Sequence, residues 1–287
     1  MLLRAAPLLF VFLWSTGFIG AKFGLPYAEP LSFLLVRYFF VIGLMTVFAL
    51  LTRAPWPNDP RRWFHIGVSG VLVHAFYLGG VFVAIRHGLP AGITALVVGM
   101  QPLLTAAGAG AFLGEAATRR QWAGLALGFV GVFLVVSGKF GGPGDNAPLA
   151  PMLVPAIVAL LAITAGTLYQ KRFCPSFDLR TGSVIQFLPT AALTALAVYL
   201  FEDFRIDWVP QFVFALGWLV LVLSLGAISL LNLLIRSGSA VNVAALFYLT
   251  PPTTALIAWA VFGETLTGSA LTGMALAVAG VWLARKT

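Results

Sequence analysis

The sequence predicts an all-α membrane protein of ten transmembrane helices, arranged as two five-helix repeats of inverted topology. Three observations carry that reading: the composition, the way the apolar runs are cut up, and an internal repeat. Of the 287 residues, 60% are hydrophobic and only 9% are charged, and the mean hydropathy is +0.99. A soluble domain carries about 25% charged residues, so this chain has too few to cover a water-facing surface of its size. A membrane-crossing helix needs about 20 apolar residues. Runs near that length fall at 7–23, 31–52, 64–85, 91–113, 121–137, 150–171, 181–200, 212–235, 240–262 and 269–284. They are continuous rather than alternating, which excludes a transmembrane β-barrel. The connections between them are short and rich in Pro, Gly or charge, and no soluble domain is inserted.

The repeat is clearest between 91–115 and 240–264. Pro102 matches Pro251, Thr105 matches Thr254, and Gly114-Glu115 matches Gly263-Glu264, all in one gapless register of 149 positions (251 − 102). The register extends outward: Gly124 meets Gly273, Gly131-Val132 meets Gly280-Val281, Gly17 meets Gly166 and Lys22 meets Lys171. The chain divides accordingly into a first repeat at 1–138, a Gly- and Pro-rich linker at 139–149 and a second repeat at 150–287. Each repeat holds five helices. Because five is odd, the second enters the membrane from the opposite side, an arrangement typical of secondary transporters.

Charge sets the orientation. With a cytoplasmic N-terminus, twelve Lys/Arg fall inside (Arg4, Arg53, Arg61, Arg62, Arg119, Arg120, Lys171, Arg172, Arg180, Arg236, Arg285, Lys286) and four outside (Lys22, Arg86, Lys139, Arg205). Both termini are therefore expected in the cytoplasm. The N-terminal apolar stretch has signal-peptide features, but the run continues through Ile19 and the repeat requires it, so it is read as a retained first helix. The net charge of +8 belongs to this orientation rather than to nucleic-acid binding. Cys174 is the single cysteine, which excludes an intramolecular disulfide and a cysteine metal site.

Each half resembles an EamA-type unit of the drug/metabolite transporter superfamily. The likeness rests on Trp14, Phe18 and Lys22 in the first helix, Arg37 in the second, Pro102 and Glu115 in the fourth, and Gly124 with Gly131-Val132 in the fifth. The second half departs from it where Ile163 matches Trp14 and Gln186 matches Arg37. The resemblance implies ten helices, a cavity between the halves, alternating access, and export of small metabolites such as amino acids.

Several side chains are candidates for that work, and each also has a structural reading. A proline inside a helix removes a hydrogen bond and kinks it, so Pro102 and Pro251 read as paired hinges beside the substrate path, or as purely architectural bends. Arg37 is a charge buried within a helix and needs a partner. It snorkels to the outer interface, gates the vestibule or binds a substrate carboxylate. Glu115 and Glu264 read as gates, as ion pairs or as caps at helix ends. Thr118-x-x-Gln121 has the form of a capping box. His74 is the one histidine deep in a helix and the one group at that depth that titrates near neutral pH. Tyr77, three residues on, is expected on the same cavity-facing side. Trp14, Phe18, Phe76, Tyr77 and Tyr248 read as cavity aromatics, and Gln101, Tyr169, Asn232, Tyr248 and Thr250 as polar groups binding either substrate or a neighbouring helix. The Gly124-x3-Gly128 spacing allows close approach of helices, within the chain or in a weak homodimer.

The nine acidic residues all fall at helix ends or in connections. No Walker-type phosphate loop, HExxH set or Ser-His-Asp set is present, so no ATP, metal or other cofactor and no enzymatic activity are expected. The predicted function is secondary transport, in the export direction, of an amino acid or derivative across a bacterial inner membrane. The partners are the lipid bilayer and a small-molecule substrate, and the protein is a monomer or weak homodimer that binds no nucleic acid. The alternatives are a sugar, nucleotide-sugar, purine or drug as substrate, or a lipid flippase.

Overall fold

The computed structural model describes residues 2–89, 91–137, 149–174, 176–262 and 266–285. Ten helical segments follow one another: α1 (Leu2–Gly24), α2 (Pro30–Leu51), α3 (Pro60–Arg86), α4 (Ala91–Val98, then Gln101–Leu113), α5 (Arg119–Ser137), α6 (Leu149–Phe173), α7 (Leu179–Phe201), α8 (Pro210–Ser237), α9 (Ala240–Ala245, then Thr250–Phe262) and α10 (Gly268–Arg285). Among the described residues, eight helices are long and apolar enough to cross a membrane, and the shorter apolar stretches Ala5–Gly17 and Gly268–Ala284 accompany them. The chain is an all-helical, multi-pass membrane protein.

The helices start where local chemistry dictates. Pro30, Pro60 and Pro210 open α2, α3 and α8, at positions where a missing N–H costs nothing. Asp59 and Asp178 cap α3 and α7 by accepting from the amides of Arg61 and Arg180, both at 2.9 Å. Thr118 and Gln121 form the expected capping box. The Gln121 amide donates to Thr118 Oγ1 at 3.2 Å, and the Thr118 amide donates back to Gln121 Oε1 at 2.9 Å.

Two departures from regular helix recur in register. α3 carries a π-helical stretch at Val71–Leu78 and α8 carries one at Leu219–Ala227, with starts 148 positions apart (219 − 71) and ends 149 apart (227 − 78). α4 is interrupted by a turn at Gly99 and Met100, and α9 passes through the 3₁₀ turn Leu246–Leu249. This revises the expectation for the prolines. Pro102 does not bend a continuous helix: it lies in the first turn of the Gln101–Leu113 segment, and Pro251 lies likewise in the first turn of Thr250–Phe262. Proline is tolerated there because the first amides of a helix have no intrahelical acceptor.

α5 and α10 pack antiparallel along a seam of glycines. A Cβ at Gly124 would stand 2.5 Å from the Ala284 backbone nitrogen and 2.7 Å from the Gly280 carbonyl oxygen. A Cβ at Gly131 would stand 2.4 Å from the Ala277 nitrogen and 2.6 Å from the Gly273 oxygen. The exchange is reciprocal, since Gly124 matches Gly273 and Gly131 matches Gly280 in the repeat register. The Gly124-x3-Gly128 stripe is thus filled from within the chain, with Gly128 against the ring of Tyr248. The other central contacts also join the two halves: α2 lies on α7, α1 on α8, and α3 on α6.

Candidate functional site

The centre of the molecule, where α2, α3, α7 and α8 meet, is polar. Arg37 on α2 is 1% exposed. Its Nε donates to Ser224 Oγ on α8 at 2.9 Å, while its Nη2 has no partner. Ser224 sits in the π stretch of α8 and returns its own proton to the Leu219 carbonyl at 3.2 Å. Arg37 therefore does not snorkel to an interface. Its charge is buried with no counter-ion among the described residues, and a buried charge so placed costs several kcal/mol.

Gln186 on α7 occupies the matched position in the second half, and its surroundings are the converse. Its Nε2 donates to Ser69 Oγ on α3 at 3.1 Å, and its Oε1 accepts from Asn232 Nδ2 on α8 at 3.2 Å. Asn232 Oδ1 in turn accepts from Gln170 Nε2 on α6 at 2.9 Å. Both matched side chains thus reach across to the third helix of the opposite half. One ends in a satisfied amide network and the other in an incompletely paired cation.

His74 lies between the two arms. It is 1% exposed and stacks on Phe187, with ring centroids 4.2 Å apart and planes 13° apart. Neither ring nitrogen is hydrogen-bonded, and Gln186 is a polar side chain beside it. The His74 carbonyl, in the π stretch of α3, accepts from Tyr38 Oη at 2.8 Å. π stretches free carbonyls from the regular ladder and are frequent at functional sites.

The other predicted residues surround this centre or lie apart from it. Tyr77 turns to α1, where it stacks on Trp14 at 6.3 Å, and Trp14 meets Phe247 of α9 edge-on at 5.3 Å. His74 and Tyr77 are both buried, but they face different neighbours because the π stretch separates them. Gln101 is buried at the start of the second α4 segment. Its Nε2 reaches Thr105 Oγ1 at 3.3 Å and its Oε1 is unpartnered. Tyr248 Oη and Thr250 Oγ1 on α9 are also buried and unpartnered. Asn232 belongs to the amide network. Tyr169 is engaged away from the centre, at the end of α6, where its hydroxyl pairs with His65 Nδ1 at 2.6 Å. Glu115 caps α9 across the halves, its Oε2 accepting from the Ala240 amide at 3.1 Å. The side chain of Phe18 and the whole of Glu264 lie outside the described residues.

Sequence reasoning did not reach Ser224, Ser69, Gln170 or Tyr38, nor the partners of Gln186. The available signal was the mismatch of Arg37 with Gln186 and the presence of isolated polar residues in apolar runs.

A cavity of about 820 Å³ opens on the α2–α8 seam. Met45 and Phe48 of α2 and Leu225 and Ser229 of α8 line it, and Arg236 and the ion pair of Arg180 with Asp178 stand at its charged end.

These features define a polytopic helical membrane protein with a buried polar centre between its two halves. The sequence model of the EamA-like transporter family matches residues 5–137 and again 151–285, and the chain belongs to that family. It is 28% identical to the uncharacterized transporter YvbV of Bacillus subtilis (strain 168), over 95% of this chain and 88% of that one. It is 26% identical to the uncharacterized inner membrane transporter YedA of Escherichia coli (strain K12), over 88% and 81%. It is 24% identical to a probable amino-acid metabolite efflux pump of Salmonella typhimurium, over 96% and 92%. One crystal structure shares the fold with a TM-score of 0.80 at 22% identity, covering 97% of this chain and 94% of that one. The relatives are transporters, and no catalytic family is indicated.

Proposed function

We propose that the chain is a secondary transporter that exports a small metabolite, an amino acid or a derivative, across the bacterial inner membrane. Two inverted five-helix repeats, 1–138 and 150–287, joined by the linker 139–149, rock about the polar centre and expose it to each side in turn. Both termini face the cytoplasm. The observation that carries this reading is that fully buried polar atoms on α2, α3, α4 and α9 lack hydrogen-bond partners: Arg37 Nη2, both nitrogens of His74, Gln101 Oε1, Tyr248 Oη and Thr250 Oγ1. Buried polar groups are almost always paired, so unpaired ones inside the helices support a ligand that supplies the partners. The inverted arrangement is supported by the antiparallel, reciprocal packing of α5 and α10 and by the matched π stretches and helix breaks. The amino-acid assignment is supported by the Salmonella relative and by a centre built of one cation, neutral amides and aromatics.

The test is solute flux in proteoliposomes. Labelled amino acids are expected to cross, and sugars and purines are not. Acceleration of lipid exchange without movement of any solute would replace transport by lipid flipping. Cysteine labelling checks the orientation: a cysteine at position 142 should react from outside and one at position 120 from inside. The reverse pattern would overturn the cytoplasmic placement of the termini.

A further inference from the structure

We infer that Arg37 and Ser224 form the subsite for a single carboxylate group of the transported solute, and that the Gln186 network is not a second anion subsite. The inference rests on the transport reading and names the chemistry that the centre selects.

The guanidinium is buried, and one donor goes to a neutral hydroxyl while Nη2 faces no acceptor. Among the described residues no carboxylate pairs with it, and in sequence all nine acids fall at predicted helix ends or in connections. Glu202 lies at the end of α7 and uses both oxygens on the first turn of α2, accepting from the Leu31 and Ser32 amides and from Ser32 Oγ. A planar guanidinium with an open fork matches a carboxylate in a bidentate fashion. With one cation in the cluster, a group carrying one negative charge balances the site and a phosphate near two charges does not. A cavity opens on the same α2–α8 seam, and its wall includes Leu225, the residue after Ser224 in sequence. At the matched position on α7, Gln186 has a hydrogen-bond partner for both its oxygen and its nitrogen. An anion therefore binds on the α2–α8 side only, and the substrate's polarity within the site is fixed.

The experiment uses Arg37→Gln, which places at α2 the side chain that α7 already carries at the matched position. Wild-type and variant protein are compared in proteoliposome flux and in thermal unfolding, with the standard amino acids and their carboxamides as probes. Wild type is expected to prefer each transported acid over its carboxamide by about thirtyfold or more, as for other buried charge pairs that lose one partner. The variant is expected to lose that ratio and to unfold at a higher temperature than wild type without ligand, since an unpaired buried charge has been removed. Ser224→Ala keeps the charge and removes the hydroxyl that orients it, so it should lower the acid-over-amide ratio only part of the way; this variant serves if Arg37→Gln does not fold. Equal acid and amide flux in wild type, or an unchanged ratio in both variants, would overturn the carboxylate subsite and leave transport standing. If wild type moves no solute at all, the transport reading itself falls.

Discussion

Arg37 and Gln186 occupy matched positions, and the chemistry around them makes opposite predictions for their removal. Gln186→Leu strips an acceptor from Asn232 Nδ2 and a donor from Ser69 Oγ in a buried site. Each orphaned group costs about 1–3 kcal/mol, so the variant should lose thermal stability in detergent while Arg37→Gln gains it. An equal loss at both positions would mean that Arg37 is satisfied in a way its contacts do not show. The mismatch between these two residues was legible in the sequence once the register was set. Their partners were not: Ser224 stands 187 positions from Arg37 (224 − 37) in a run that reads as apolar, and nothing local ties the two together. Glu115 is a similar case, because its acceptor role toward Ala240 depends on α4 and α9 being brought end to end.

At the scale of the element, the repeat predicted more than it could describe. It placed Pro102 and Pro251 at equivalent points, and the breaks do coincide. Whether proline kinks a helix or opens a new one depends on the residues just before it, Gly99-Met100 and Leu246–Leu249, whose conformations no sequence pattern signals. The glycine seam of α5 and α10 permits a sharper test. Gly131→Ala would force a Cβ to within 2.4 Å of the Ala277 backbone nitrogen, which neither helix can relieve by a rotamer change. A loss of about 3 kcal/mol or more is expected. Gly43, in the interior of α2, has nothing within 4 Å of its would-be Cβ. There, alanine should be neutral or stabilising by about 0.5–1 kcal/mol, through helix propensity alone. Paired unfolding measurements that failed to separate the two would refute the packing. The cap of α7 makes a prediction about pH. The side-chain hydrogen bond from Arg180 holds the Asp178 carboxyl below the usual range. A carboxyl depressed on folding adds stability above its unfolded pKa and loses it as pH falls through the folded value. Asp178→Ala should therefore cost about 1 kcal/mol at neutral pH, by loss of the cap, and little at pH values acid enough to protonate the wild-type carboxyl.

At the scale of the whole molecule, the end proposed as outer is closed by a clasp in which each half caps the other. Glu202 of the second half holds the Leu31 and Ser32 amides at 2.8 and 2.7 Å and Ser32 Oγ at 2.7 Å. Glu29 of the first half holds the Asp203 and Arg205 amides, both at 3.1 Å. Ala28 and Ile206 pair as an isolated antiparallel bridge between them. At the other end, the residue matched to Glu202 is Arg53, and α7 is capped from within its own half by Asp178. In the alternating-access cycle proposed above, the clasp would break each time the centre opens outward, and its strength would set how often that happens. Glu202→Ala removes three hydrogen bonds and leaves the polar centre untouched. The population should shift toward the outward-open form, which a cysteine at Ser32 reports because that position is buried with the clasp shut. Cys174 is a quiet background for the measurement: it is buried, and burial pushes its thiol up to about 11, so little thiolate is present at neutral pH. In a Cys174→Ala chain, an impermeant maleimide added outside should label Ser32→Cys slowly with Glu202 present and much faster in the Glu202→Ala background. Equal rates would mean that the outer end is held shut by the packing of α2 on α7 rather than by the two carboxylates.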